Sequence, residues 1–349
     1  MTSDVSPQVR ILRDDETIVL PESLACAAGF VGLEPWLRFV HKTYAFPICR
    51  IVSEVRNQVD GWLALVRVKH PIFGHYLTTS PFGSYGGFAY SSSTSRDALL
   101  EKARRLGSEL GVDYVNVRFE AAEQPAEGWI QHPVYATYLV DLLPDAKQLM
   151  NTFSSDHRNH IRKSLRKSFS IKFGGLDLLA DAYEALARSM HELGSPYHNK
   201  SYLRTMAESL GEALVFAVMY GPDGELAGAG VFVLQGHLAT NLHANILRRF
   251  RPDYAGEFLY WSVLERYCRQ GFKKFDLGRS LIGSGNETFK MKWRPRKQPL
   301  AYWYALMPGH QLPELNQKNP KFHLAISIWK RLPAFLVRPL GPFLIKGLA

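Results

Sequence analysis

The stretch FDLGRSLIGSGNETFKMKW, residues 275–293, changes character twice. It opens as a short strand ending at Gly278-Arg279, passes through the turn Gly283-Ser284-Gly285, and closes on Phe289-Lys290 followed by Lys292 and Trp293. A glycine loop between an arginine and a lysine suits a phosphate, a reacting carbonyl oxygen gathering charge, or no ligand at all. Arg279 ends the strand, where side chains commonly point into a cleft. Its fork suits a phosphate or carboxylate, and an ion pair with Asp276 is the alternative. Lys290 and Lys292 stand about 200° apart around a helix, so only one of them can face that cleft.

Outward from this stretch, the chain alternates strands and helices without a regular βαβ repeat. Upstream, VYATYLVDL opens the second half, followed by a basic helix over about 154–168 and a helix carrying Leu179, Tyr183, Leu186, Met190 and Leu193 on one face. Gly194 and Pro196 end that helix, and SYLRTMAESL forms the next, stopping at Gly211. ALVFAVMY, LAGAGVFVLQ and LATNLHANI then form a meander, with GPDG at 221–224 as its first turn. GEFLYWSVLERYCRQG is a helix, and PLAYWYALM is expected to close the sheet after the glycine turn.

The first half has the strands PICRIVSEV and GWLALVRVKH, a turn over 57–61, and a helix with Leu99, Ala103, Leu106 and Leu110 inward. Gly111 caps that helix. The expected class is α/β with mixed (α+β) sheets: two tandem subdomains, 1–134 and 135–310, and a C-terminal helical tail, 311–349. The mixed order disfavours a dinucleotide-binding array.

The 349 residues carry a net charge of +10 and a pI near 9.4, which favours anionic partners. The three cysteines are far apart, so neither a disulfide framework nor a zinc site is expected, and a cytoplasmic location is the default. The N-terminus lacks the apolar core of a signal peptide, and no window reaches the ~18 apolar residues of a membrane span. In HRNHIRKSLRK, Arg158, Arg162 and Arg166 form one stripe flanked by Lys163 and Lys167, with Phe153, Ile161, Leu165 and Phe169 opposite. Such a face suits phosphates, in a tRNA acceptor stem or a lipid-linked diphosphate, or is simply solvated.

Four stretches, SPFGSYGGFAY, HRNHIRKS, LGSPYHNKSYL and the opening stretch continued through KQPLAYWY, resemble the FemAB-like branch of the GNAT acyltransferase superfamily. They span most of 75–305. Members linked to bacterial exopolysaccharide export (the PEP-CTERM-associated type) look especially similar, including the tail NPKFHLAISIWKRLPAFLVRPLGP. The best-known FemAB-like proteins add amino acids to peptidoglycan precursors. The resemblance therefore implies N-acyl or aminoacyl transfer to an amine of a cell-envelope or exopolysaccharide precursor, with a sugar or peptide acceptor. It implies Lys290 at the reacting centre, and two tandem GNAT-like subdomains. A non-catalytic RNA- or membrane-binding protein on the same scaffold is the competing class.

Two departures stand near the expected site: Arg294 where relatives have glycine, and Glu257 where a small or amide residue is usual. Acetyl-coenzyme A users of the superfamily carry R/Q-x-x-G-x-G/A before the crossover helix; RRFRPDYAGEF has only Gly256. No permanently bound cofactor and no metal are expected, and the acyl donor is aminoacyl-tRNA or an acyl-coenzyme A.

The expected site joins Lys290, Arg279 and His198 as catalytic groups. Tyr85, Gly86, Gly87, Arg158, Arg162, Tyr197, Asn245, Gly283, Gly285, Phe289 and Trp293 are expected substrate contacts. His198 and Tyr197 sit in the loop GSPYHNK, placed to move the amine proton or bond a sugar, or simply to make a turn; His243 and Asn245 share one strand face. The basic, acid-free tail suits a helix on an anionic inner membrane face or one packed on the protein's own body.

Overall fold

The computed structural model describes residues 6–120, 123–313 and 320–349, with 320–325 by backbone alone. It contains two compact units: Met1–Tyr135 with Pro299–Pro313 and Lys346–Ala349, and Ala136–Gln298 with Glu314–Ile345. The main segment of the first unit ends at Tyr135, and Pro299–Pro313 is grouped with it.

In the first unit the strands run in the order Gln8–Ile11, Ile48–Val55, Gln58–His70, Gly74–Thr78, Tyr114–Glu120 and Arg296–Leu306. Neighbours are antiparallel except Gly74–Thr78 with Tyr114–Glu120, the parallel pair that the helix Ser93–Glu109 connects. The long hairpin turns at Arg56 and Asn57, with φ of 51° and 63°, one residue before the expected turn. Leu99, Ala103 and Leu106 of the helix are buried with Leu63, Leu65, Val115, Val117 and Trp303 of the sheet. Arg296–Leu306 pairs with Tyr114–Glu120, from Leu300 opposite Glu120 to Leu306 opposite Tyr114. Its apolar pattern identifies a buried strand but names no partner.

The second unit orders Tyr135–Asp141, Lys274–Asp276, Leu238–Ile246, Leu226–Gln235, Leu214–Tyr220 and Ser170–Gly174. The helix Ala255–Arg269 buries Leu259, Val263, Leu264 and Tyr267 in a core with Phe232, Ala239 and Phe275 of the sheet. Leu179–Leu193 presents Leu179, Ala182 and Leu186 as its buried stripe. It ends at Gly194, whose φ is 79° and where a Cβ would meet the Ile326 carbonyl at 2.9 Å, so both conformation and space select glycine.

The tail forms the helices Pro320–Arg331 and Ala334–Lys346. They pack within the second unit: Arg338 bridges Glu184 at 2.7 Å and His191 Nε2 contacts the Trp329 carbonyl at 3.2 Å. No helix among the described residues is long and apolar enough to cross a membrane.

Candidate active site

The site begins where two parallel strands stop pairing. Leu238–Ile246 and Lys274–Asp276 share only three registered pairs, the last being Thr240 with Asp276. Immediately beyond, Leu238–Ile246 bulges at Leu242, since Val231 opposes His243 while Phe232 opposes Asn241. Bulges bend a strand away from its partner and recur beside functional sites. The Asn241 amide spans the opening, donating to the Tyr260 hydroxyl at 3.0 Å and the Leu277 carbonyl at 3.3 Å. Gly278 then turns the chain with φ 76°, and a Cβ there would lie 2.8 Å from the Asn241 carbonyl, so no other residue fits unstrained.

Lys290 fills the mouth of this opening. It lies on Gly285–Met291, a short helix capped by the Ser284 hydroxyl, which accepts from Glu287 N–H. Its side chain is buried, and Nζ donates to the carbonyls of Gly278 at 2.6 Å and Arg279 at 2.8 Å. The ring of Tyr138 lies 5.5 Å away. Burial pulls the ammonium pKa down to about 8, with Arg279 adding to the fall and Asp276 opposing it. Asp276 is itself fully buried and accepts from the Thr137 hydroxyl at 2.5 Å and Gly278 N–H at 2.8 Å, so it holds the turn. Two of the three ammonium hydrogens are thus fixed by main chain.

Lys292 takes the opposite flank, partly exposed and 3.5 Å from Glu257. Phe289 and Trp293 separate the two lysines, their rings 6.3 Å apart. Phe289 rests against Tyr260 and beside Gly256. Trp293 is fully buried against Phe153, His157 and Tyr260, which makes it a core residue and corrects the expectation that it touches substrate.

Several other expected contacts have internal partners. Gly283 N–H donates to the Glu287 carboxylate at 2.5 Å, which occupies the place a phosphate would take. Glu287, bonded to Lys297, Gly283 N–H and Tyr138, has its pKa pushed down to about 2 and is therefore anionic. Gly285 merely starts the short helix. Arg279, expected to end the strand, lies half-buried in the turn between Lys274–Asp276 and Ser280–Leu281, and its carbonyl, not its side chain, meets Lys290. In the first unit Gly86 N–H donates to the Arg118 carbonyl and Gly87 N–H to the Ala28 carbonyl, both at 2.7 Å. At Gly86 a Cβ would meet the Ala28 carbonyl at 2.5 Å, so this glycine pair, with Tyr85 preceding it, serves backbone packing there. Arg158 caps the preceding helix by donating to the Phe153 carbonyl at 2.5 Å. Arg162, Lys163 and Arg166 are exposed, whereas Lys167 pairs with Asp253 at 2.7 Å. Leu165, expected inward, is exposed because the helix Ser155–Leu165 ends there.

His198 stacks on Tyr202 with centroids 3.5 Å apart and lies near His243 at 6.3 Å. Burial holds its pKa well below the usual value, so it is neutral at pH 7 and a weak base. It lines a cavity with Tyr183, Arg188, His191, Tyr197 and Arg338. Asn245 turns away to the Met190 sulfur at 3.4 Å. Asn241, Tyr138, Tyr260 and Glu287 are neighbours of this arrangement that sequence reasoning missed. Only Glu287 carried a signal, as the last residue of the capping pattern S-x-x-E at 284–287.

Residues 155–291 match the family described as the acetyltransferase (GNAT) domain. No curated protein matches the chain. Among solved structures, FemX is similar over 80% of this chain and 92% of its own, at 12% identity and a TM-score of 0.63. A tandem GNAT protein from the clavulanic acid biosynthesis pathway is similar over 86% and 98%, at 15% identity and 0.56. L-PGS from Bacillus licheniformis is similar over 78% and 87%, at 13% identity and 0.51.

Proposed function

We propose that this chain, a GNAT-fold acyltransferase, passes an activated acyl or aminoacyl group to an amine on a cell-envelope or exopolysaccharide precursor. The observation that carries the reading is Lys290, a buried ammonium fixed by two carbonyls where the parallel strands part. The amine nitrogen attacks the acyl carbonyl, whose oxygen takes the electron pair and becomes an oxyanion. The third Lys290 hydrogen meets that charge as it develops. The C–O or C–S bond to the donor then breaks, and the amine proton leaves to solvent or to the departing group. Because the ammonium is already positioned, little reorganisation is needed.

The donor reading rests on Glu257. In the superfamily the phosphates of acetyl-coenzyme A dock at the N-terminus of the crossover helix, here Ala255–Arg269. Glu257 is buried in its first turn, putting a negative charge where a pyrophosphate would go. Aminoacyl-tRNA, met by the exposed Arg162, Lys163 and Arg166, fits better. Calorimetry of chelator-treated protein is expected to show no micromolar binding of acetyl-coenzyme A or longer acyl-coenzyme A esters. Micromolar binding of any of them would replace this reading by coenzyme A-dependent acetyl or acyl transfer.

The same reading places the protein on the inner membrane face, peripherally. The tail helix Ala334–Lys346 buries Val337 and Gly341 while Phe335, Leu336, Leu340 and Phe343 remain exposed, with Lys330 and Arg331 just upstream. An apolar face beside cations suits an anionic bilayer. Sedimentation with phosphatidylglycerol vesicles is expected to carry the protein down, and phosphatidylcholine vesicles to leave it in solution. The double variant Phe335→Ser, Leu340→Ser should lose the binding; equal sedimentation of both proteins would remove the tail from this role.

A further inference from the structure

A second cluster, apart from the Lys290 centre, lies between two helices. His157 and His160 stand one turn apart on Ser155–Leu165, and Glu257 is in the first turn of Ala255–Arg269. One donor atom from each lies within 4.8 Å of the others. His157 is 2% exposed, and neither of its ring nitrogens has a hydrogen-bond partner. His160 divides its nitrogens: Nε2 is 3.5 Å from the Asp156 carboxylate, while Nδ1 is buried without a partner. Buried polar atoms in folded proteins are nearly always hydrogen-bonded, so such groups call for an unseen partner.

The donor set answers what that partner is. Two imidazoles and one carboxylate are the three protein ligands of an open tetrahedral zinc site, the fourth position falling to water. Asp156 then has the supporting role usual for a metal-bound histidine, holding the outer nitrogen so that the inner one faces the ion. The groups around the cluster fit. Tyr254 stacks on His160 at 4.5 Å, and Lys163 lies over Tyr254 at 5.8 Å, outside the donor set. Lys292 is the competing cation, 3.5 Å from Glu257 but 40% exposed, so it can give up the carboxylate and extend into solvent. We propose that His157, His160 and Glu257 bind a divalent cation of the zinc class. The ion ties the basic helix to the start of the crossover helix, beside Trp293, whose ring lies 4.4 Å from that of His157.

The test uses full-length, untagged, chelator-treated protein carrying Cys26→Ser, because the exposed Cys26 thiol is an alternative zinc ligand. Zinc is titrated by calorimetry, with thermal melts and tryptophan fluorescence alongside. The expected result is one equivalent bound at micromolar or lower concentration, with a raised melting temperature. His160→Gln and Glu257→Gln, each removing a ligand while keeping a polar side chain, should weaken binding by at least ~10²-fold. Asp156→Asn should weaken it by about 10-fold, a loss that an ordinary surface acid would not cause. Melts of the metal-free variants establish that they are folded, and each tests the site independently of the other. Absence of saturable binding below millimolar zinc, or binding undiminished in both ligand variants, overturns the site.

Discussion

Lys290→Met is expected to lose ~10²–10³-fold in turnover while Lys292→Met keeps nearly all of it, by analogy with the removal of one oxyanion donor. The two residues share a type, a segment and a distance of two positions, so the comparison cancels everything except placement. Lys290 is buried with two hydrogens on main-chain carbonyls, whereas Lys292 is partly exposed and faces Glu257. Stability separates them differently. Lys292→Met strips a partner from a buried carboxylate, so it should lower the melting temperature more than an ordinary surface change. A loss of activity in Lys292→Met that follows its melting temperature is a folding effect; a loss in Lys290→Met at unchanged fold is the chemistry. Lys290→Arg keeps a positive charge but cannot reproduce the single point contact, and should recover only part of the rate. The assay is acyl transfer to the acceptor amine once identified, and equal turnover in the two methionine variants would take Lys290 out of the mechanism.

The fold was legible wherever local rules decide it. The helix ending at Gly194, the meander Leu214–Ile246 and the glycine cap at Gly111 follow from periodicity and turn chemistry, and all are present. Partner choice was not legible. Arg296–Leu306 has the letters of a buried strand, but its pairing with Tyr114–Glu120 is set by packing against a segment far away in the sequence. Glu22–Ala28, Glu34–Tyr44 and Ala146–Thr152 escaped notice for a related reason: short helices carry few periods, and tertiary burial of Trp36 and Phe39 outweighs weak propensity.

The site divides along the same line. That Lys290 and Lys292 take opposite flanks around Phe289 and Trp293 was readable from helix geometry. What fixes Lys290 was not, because the Gly278 and Arg279 carbonyls, Asn241 and Tyr138 are brought together by the parting of two strands. The glycine loop misled for a physical reason. Letters that suit an anion were matched by an anion of the chain itself, the Glu287 carboxylate on Gly283 N–H. Likewise Trp293 belongs to the core beneath the segment that carries Lys290.

The stability of the wild type relative to Lys290→Met should rise by roughly 3 kcal/mol between about pH 8 and pH 10.5, the conversion of the pKa difference at 1.36 kcal/mol per unit. The sign follows from burial. In the folded protein the Lys290 pKa is lowered to about 8, while the unfolded chain keeps the ordinary 10.5. Below pH 8 both states carry the proton, and the folded state bears the full cost of a buried charge. Between the two values the folded state has released its proton and the unfolded state has not, so unfolding takes up a proton and becomes harder as pH rises. Above 10.5 both are neutral and the difference levels off. Catalysis should run the other way: an oxyanion needs the charged form, so turnover should fall as pH passes 8 while stability climbs. This opposition identifies the group, since a lysine kept for folding alone would show the stability limb without the activity limb. Denaturant melts of both proteins across this range measure the first, and a pH–rate profile the second. A flat stability difference would mean that Lys290 is hydrated and near its ordinary pKa, contrary to a buried ammonium at the mouth of the parting strands.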